Sequence, residues 1–96
     1  MKYLCNPTMK KEEFPDGDLL IYDDSNEVYH VLNKTAHEIL YLLENEKYEI
    51  AKEKYLSKRK EDNIIVSEIE EDFDDVLKML LNKNIIFVEG NNKYIK

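Results

Sequence analysis

Acidic residues outnumber basic ones in this sequence, and three carboxylates lie close together at Asp72, Asp74 and Asp75. Paired carboxylates can transfer protons or bind a divalent metal. At about 100° per residue, however, these three side chains point in different directions around a helix, which favours a solvated face. A second acidic segment, residues 23–26, lacks the glycine and the terminal glutamate of a calcium-binding loop. Neither segment predicts a catalytic or metal site.

Histidine and cysteine are too isolated in the sequence to indicate catalysis. His30 and His37 have no cysteine, serine or second histidine at the spacing of a catalytic or metal-binding pair. The single Cys5 excludes an intramolecular disulfide framework and a multi-cysteine zinc site, and a lone thiol fits a reducing cytoplasm. We therefore expect a cytoplasmic protein that is not an enzyme and that holds no metal and no cofactor.

The length and the charge of the chain narrow the class of protein further. Its 96 residues are sufficient for one domain, which we assign to residues 1–96, and its formal net charge is −7. This charge repels phosphate at long range, so we expect no nucleic-acid partner and no anionic membrane partner. No apolar run reaches the length of about eighteen residues that a membrane span needs, and residues 1–16 do not form a signal peptide.

Three strands are predicted in the first third of the chain. Residues 8–14 form a weak first strand, because they are rich in Lys and Glu, and Pro-Asp-Gly-Asp at 15–18 is a turn signature. Residues 19–22 and 28–32 are rich in β-branched and aromatic types, and residues 23–26 between them tolerate a tight turn. The pattern predicts a hairpin whose second member is the third strand.

Three helices are predicted after the hairpin. Thr35 and Glu38 have the spacing of a capping box, so the first helix should begin at Thr35, and a second helix should run from Tyr48 to about Arg59. Ser67 and Glu70 repeat the capping-box spacing at the start of the third helix. The apolar stripe of that helix comprises Ile69, Phe73, Val76, Leu77 and Leu80, and Asn84 is a plausible C-terminal stop.

An apolar run at residues 85–88 and a polar tail at 89–96 predict a final β wing. Three helices and a wing are also the outline of a winged-helix DNA-binding regulator, in which the third helix would enter the DNA groove. The N-terminal half of that helix carries six acids and no base, whereas phosphate neutralisation supplies much of the affinity for DNA. The basic residues lie on the second helix, at Lys52, Lys54, Lys58, Arg59 and Lys60. A DNA-binding regulator therefore stays as the alternative function.

The order of these elements resembles the PqqD-like family, the RiPP recognition elements that bind leader peptides in ribosomal peptide natural product biosynthesis. The resemblance covers about residues 9 to 88. It is carried by Leu20, Tyr22, Val31, Leu32, Asn33, Thr35, Ala36, Ile39, Leu40, Asp72, Phe73, Val76, Leu77, Leu80, Ile85 and Ile86. It implies an α+β fold in which a three-stranded antiparallel β-sheet packs on a winged helix-turn-helix-like bundle of three helices.

The resemblance also implies where a ligand would bind. In the family, the leader segment of a precursor peptide adds as a strand to the third strand and lies in the groove between that strand and the third helix. Carried over to this sequence, main-chain pairing would involve Glu27, Val28, Tyr29, His30, Val31 and Leu32. Side-chain contacts would come from one flank of the third helix, which comprises Asp72, Val76, Met79 and Lys83.

The implied role is that of a peptide chaperone rather than an enzyme. The protein would hold the leader and present the precursor to a maturation enzyme, either a radical-SAM maturase or a leader peptidase. Because the chain ends soon after the domain, we expect a free-standing adaptor, and its exposed strand edge would permit a homodimer. The sequence leaves open the leader sequence, the final product, the type of maturase, the oligomeric state and the flank of the third helix that lines the groove.

Overall fold

The computed structural model describes residues 2–59 and 65–89. Within these residues the chain forms five strands and three helices. Their order is β1 (Tyr3–Cys5), β2 (Met9–Glu13), β3 (Leu19–Asp23), β4 (Val28–Leu32), α1 (Lys34–Asn45), α2 (Tyr48–Arg59), α3 (Val66–Asn82) and β5 (Ile86–Val88). The α+β fold class is confirmed, because β2, β3 and β4 form a three-stranded antiparallel sheet beside the three helices.

The three-stranded sheet has one buried face and one solvent-facing side. Along β3, Leu19 and Ile21 are buried, whereas Leu20 and Tyr22 between them are half-buried. Residues directly opposite each other on neighbouring strands project to the same face. The register places Leu32 of β4 opposite Leu19. The predicted hairpin of β3 and β4 is confirmed, and its buried face contributes to the same core as the helices.

The turn between β3 and β4 is held by the side chain of Asp23. Its carboxylate accepts hydrogen bonds from the Asn26 side chain at 2.7 Å and from the backbone N–H groups of Ser25 and Asn26 at 3.1 and 3.3 Å. These bonds, above all the one from the Asn26 side chain, lower the pKa of Asp23. Glu27 closes the turn with a φ of 54°, and β4 begins at Val28, where the sequence predicted the strand to begin.

Both predicted capping boxes are wrong, because each helix begins before its expected cap. The N-cap of α1 is Asn33, whose Oδ1 accepts a hydrogen bond from the Ala36 N–H at 2.9 Å. Asn is at least as good an N-cap as Thr, and the Thr35 hydroxyl instead accepts a bond from the Arg59 guanidinium at 3.2 Å. Ser67 lies within the first turn of α3, which follows Ile65 without a side-chain cap.

The helices form the core through their apolar stripes, and four of the five residues predicted for the stripe of α3 are buried. The buried residues are Ala36, Ile39, Leu40 and Leu43 of α1, Ala51 and Tyr55 of α2, and Ile69, Phe73, Leu77 and Leu80 of α3. The fully buried ring of Phe73 lies between the rings of Tyr48 and Tyr55, with centroids 6.0 and 5.6 Å away. None of the described helices is both long enough and apolar enough to cross a membrane.

Two features follow the end of α3: a left-handed turn at Asn84 and a strand that pairs with β1. Asn84 has a φ of 58°, and the N–H groups of Asn84 and Ile85 bond back to the carbonyls of Leu81 and Leu80 at 3.1 and 3.0 Å. This left-handed turn confirms Asn84 as the helix stop. The apolar run then forms β5, which pairs antiparallel with β1, a strand for which the sequence carried no signal. The remainder of the predicted wing, residues 90–96, lies outside the described residues.

Candidate binding groove

A groove separates β4 from α3 and encloses a cavity of about 420 Å³. One wall is formed by the end of β4 and the start of α1, which the Asn33 cap joins without an intervening loop. The opposite wall is the outward flank of α3, whose buried stripe fixes the helix on the core. The residues that line the cavity are Val31, Leu32, Asn33, Thr35, Ala36, Asp72, Asp75, Val76 and Met79.

The groove is bordered by a strand edge that has no strand partner among the described residues. The strand order is β2-β3-β4, so β4 pairs with β3 on one side only. An edge strand presents backbone N–H and C=O groups that can pair with another extended chain. Three of the five residues of β4 are exposed to solvent, and the strand contains no formal charge when its histidine is neutral. This edge is therefore accessible to an added strand.

The side chains of the groove combine an apolar surface with negative charge. Val76 and Met79 of α3 are half-buried and pack against the core. Asp72 and Asp75 form no hydrogen bond and no ion pair with any described residue, whereas Asp74 is bonded to Lys52 and Tyr48 at 2.9 to 3.0 Å. Two uncompensated carboxylates beside an apolar surface favour a ligand that carries both an apolar and a cationic group.

The structure brings together five of the ten residues that the sequence predicted for peptide contact. They are Val31, Leu32, Asp72, Val76 and Met79, which all line the cavity. Val28, Tyr29 and His30 lie on β4 outside the cavity lining, Glu27 lies in the turn, and Lys83 follows the last residue of α3. Of the predicted flank of α3, Asp72, Val76 and Met79 thus line the cavity and Lys83 does not, and their contact with a peptide stays a prediction.

One residue of the groove was misplaced by the sequence argument. Asp72 and Asp75 were expected to point in different directions, yet both line the cavity. A separation of three residues turns a helix by about 300°, so such residues are neighbours on its surface. The spacing alone could have placed Asp75 beside Asp72. Asn33, Thr35 and Ala36 had been noted for the family resemblance but not as contact residues.

Cys5 and His37, two potentially reactive side chains outside the groove, are both constrained by their surroundings. Burial raises the pKa of the Cys5 thiol, which disfavours the thiolate that a nucleophile requires. His37 contacts the Gly17 carbonyl oxygen through Nδ1 at 2.8 Å and a Glu13 carboxylate oxygen through Nε2 at 3.2 Å. These contacts link α1 to the end of β2 and to the turn between β2 and β3. Among residues 2–59 and 65–89 no group of three or more possible metal ligands converges. Neither Cys5 nor His37 lines the groove.

The basic residues of α2 are largely paired with carboxylates. Lys58 Nζ lies 2.8 Å from one oxygen of Glu38, and an Arg59 nitrogen lies 3.7 Å from the other. Lys54 pairs with Glu46 at 2.8 Å. Lys60, the last member of the predicted cluster, lies outside the described residues. The described part of the cluster therefore does not form an unpaired cationic surface of the kind that binds phosphate.

Comparison with known proteins adds one structural match. No family model and no curated protein matches the chain. The chain is similar to the solved structure of TbiB1 in complex with the TbiA(beta) leader peptide, with a TM-score of 0.70 over 94% of this chain and 96% of that one. The two chains share one fold. Their sequence identity is 22%, so the similarity establishes architecture, and it confirms the fold that the PqqD-like resemblance implied.

Proposed function

We propose that this chain binds the leader segment of a ribosomally made precursor peptide as an added strand on β4. The observation that carries the proposal is the outer edge of β4, which pairs with no other described strand and lies directly beside the groove lined by α3. Strand addition is an established way for a sheet edge to bind an extended peptide. The similarity to TbiB1, whose structure contains a leader peptide, supports the same role for a chain of the same fold.

The backbone and the side chains of the site have different tasks in this proposal. Main-chain hydrogen bonds along β4 supply affinity for any extended segment. Selectivity comes from the groove, where an apolar peptide side chain packs on Val76 and on the adaptable Met79. A cationic peptide side chain at the adjacent position is attracted by Asp72 and Asp75. The preferred leader thus combines an apolar and a basic residue on the same face of its strand.

A chain that binds a leader in this way acts as an adaptor for a second protein. Holding the precursor beside a maturation enzyme raises the effective concentration of the substrate without any chemistry by the adaptor. A radical-SAM maturase and a leader peptidase are the two partner enzymes that we propose. A pull-down with the enzymes encoded beside the gene, with and without the precursor, distinguishes them.

Calorimetric titration tests the proposal directly. The protein is titrated with a synthetic leader from a short open reading frame next to its gene, with a scrambled peptide of equal composition, and with a DNA fragment from the same locus. We expect saturable binding of the leader alone. Salt-sensitive binding of DNA without peptide binding would overturn the proposal in favour of the winged-helix regulator.

Amide hydrogen exchange then tests the binding mode. A peptide strand added to β4 protects backbone amides along Val28–Leu32, whereas the amides of β2 at the opposite edge should be unchanged. Leader binding with no new protection in β4 would contradict strand addition while leaving leader binding itself intact.

A further inference from the structure

On the face of the sheet opposite the core, β3 and β4 carry four neighbouring apolar or aromatic side chains, whereas β2 contributes Lys10 and Glu12 to the same face. Tyr29 and Val31 of β4 lie opposite Tyr22 and Leu20 of β3, and these residues alternate with the buried ones, so their side chains lie on the sheet face opposite the core, with Val31 also at the rim of the groove. The rings of Tyr22 and Tyr29 are in contact, with centroids 4.7 Å apart. Tyr29 and Val31 nevertheless remain 64% and 65% exposed, because no described strand covers the far side of β4.

Strand addition determines what would cover these two residues. Successive side chains of a strand project to opposite faces, so a peptide paired with β4 cannot direct all of its side chains into the groove. Every second side chain must lie on the outer face, about 4.5 to 5.5 Å from its neighbour on β4. The outward neighbours available within β4 are Tyr29 and Val31. The groove and this outer pair therefore contact alternate residues of the same peptide.

We propose that Tyr29 and Val31 form a second specificity surface, which selects aromatic or β-branched side chains at the outward-facing positions of the bound peptide. This inference rests on the proposed function, because it takes strand addition at β4 as given. Aromatic and β-branched cross-strand neighbours stabilise sheets more than small or charged ones do. β4 presents no charged residue on this face, so an outward acidic or basic side chain of the peptide gains no ion pair from its own strand neighbour.

The expected peptide pattern has two interleaved sets. Inward positions take apolar and basic residues for Val76, Met79, Asp72 and Asp75, and outward positions take aromatic or β-branched residues. The outer set should change affinity by up to about fivefold per favourable pair. Groove contacts alone would instead leave every second position of the peptide unselected.

A display library of random peptides on the immobilised full chain tests this inference. We expect wild-type protein to enrich peptides in which both alternating sets are selected. The variant Tyr29→Thr leaves the groove residue Val31 in place and keeps a β-branched strand former, and it should retain the inward set but lose aromatic and β-branched enrichment at the outward position beside residue 29. The matched control is Tyr41→Thr on α1, since Tyr41 is 63% exposed on a helix and should leave both sets unchanged.

The possible failures are distinguishable. Enrichment of the inward set by wild-type protein, with no preference at outward positions, would overturn this inference while the proposed function stands, and it needs no variant to fold. Equal loss of the outward set in the Tyr41→Thr control would also overturn it. A wild-type protein that enriches no peptide at all, with a library and a display that succeed for a known peptide-binding domain, would remove the proposed function and the inference together.

Discussion

The two edges of the three-stranded sheet differ in composition although they belong to one sheet. β2 reads Met-Lys-Lys-Glu-Glu, and after the buried Met9 all four charged residues are exposed. Lys10 pairs with Asp24 at 3.2 Å and Lys11 with Glu44 at 2.7 Å. β4 reads Val-Tyr-His-Val-Leu and has no such charges. Charges on an edge strand oppose pairing with another chain. The composition of the strands, and not the architecture of the sheet, therefore disfavours pairing at β2 and permits it at β4, which we call the open edge.

The largest expected effect comes from a charge within the groove beside the open edge. Val76→Asp places a third carboxylate beside Asp72 and Asp75 on the surface that would hold an apolar peptide side chain. We expect leader affinity to fall by about a hundredfold, close to 3 kcal/mol, when measured by calorimetry. The matched control is Val66→Asp, which introduces the same residue at an exposed position in the first turn of α3.

Equal affinities for the Val76 and Val66 variants would remove the groove from the binding surface. Circular dichroism of both variants shows whether the fold is retained. A helix start favours a carboxylate, so Val66→Asp should not destabilise α3. Lys52→Ala is a weaker control, because Lys52 bonds to Tyr48 and Asp74 and thereby links α2 to α3.

A smaller effect is expected from reversing the charge of the groove. The double variant Asp72→Lys with Asp75→Lys should bind a leader peptide with an inward Lys or Arg about tenfold more weakly. The same peptide with Glu at that position should bind the variant better than wild type. The control is Glu68→Lys with Glu71→Lys, an equal change of charge on exposed residues of α3 that do not line the groove. The same response in the control would assign the effect to the net charge.

The charge that distinguishes the two edge strands can also be exchanged between them by mutation, and we expect a few-fold change in self-association. We propose that free β4 edges allow two copies of the chain to pair in the absence of peptide. Val31→Lys gives β4 a charge of the kind present on β2 and should weaken this association. Sedimentation at increasing protein concentration measures it, with Lys10→Val as the reciprocal variant. Association that leader peptide fails to reduce would separate the dimer contact from β4.

The smallest effect concerns the turn that holds β4 against β3, and it depends on pH. The pKa of Asp23 is lowered in the folded protein by its hydrogen bonds, chiefly that from the Asn26 side chain. A lowered pKa contributes stability above the unfolded value of about 3.9, and this stability is lost as the pH falls through the folded value. Asp23→Asn should therefore flatten the decrease of melting temperature below about pH 4. Asp24→Asn, at the neighbouring exposed position, should preserve that decrease.

The helical stripes and the hairpin could be predicted because their apolar patterns continue over enough residues to be recognised in the sequence. Apolar residues recur over about two turns in α1 and about three in α3, and the buried residues of both helices lie on these stripes. The helix starts could not be fixed, because Asn33 and Thr35 are both good caps and lie two residues apart. β1 could not be predicted at all. Its three residues pair with a strand more than eighty residues away, and neither strand shows a period of its own.

Half of the ten residues predicted for peptide contact line the groove, for a related reason. The buried stripe of α3 fixes which flanks remain exposed, so Asp72, Val76 and Met79 could be placed together from the sequence. Lys83 continues the same projection but lies past the last residue of α3, where the helical angle no longer applies. Which residues of β4 face the groove depends on how the sheet packs on the helices, and that is a property of tertiary structure.

The pairing of β1 with β5 has a consequence for how the protein can be joined to other chains. The Glu89 N–H donates to the Lys2 carbonyl at 2.8 Å, so these two positions are direct neighbours. A segment attached at either position would begin from nearly the same point and would have to span nearly the same distance to β4. Whether a peptide or an enzyme is tethered at Lys2 or at Glu89 should then matter little, because its local concentration at the groove should be similar from both positions.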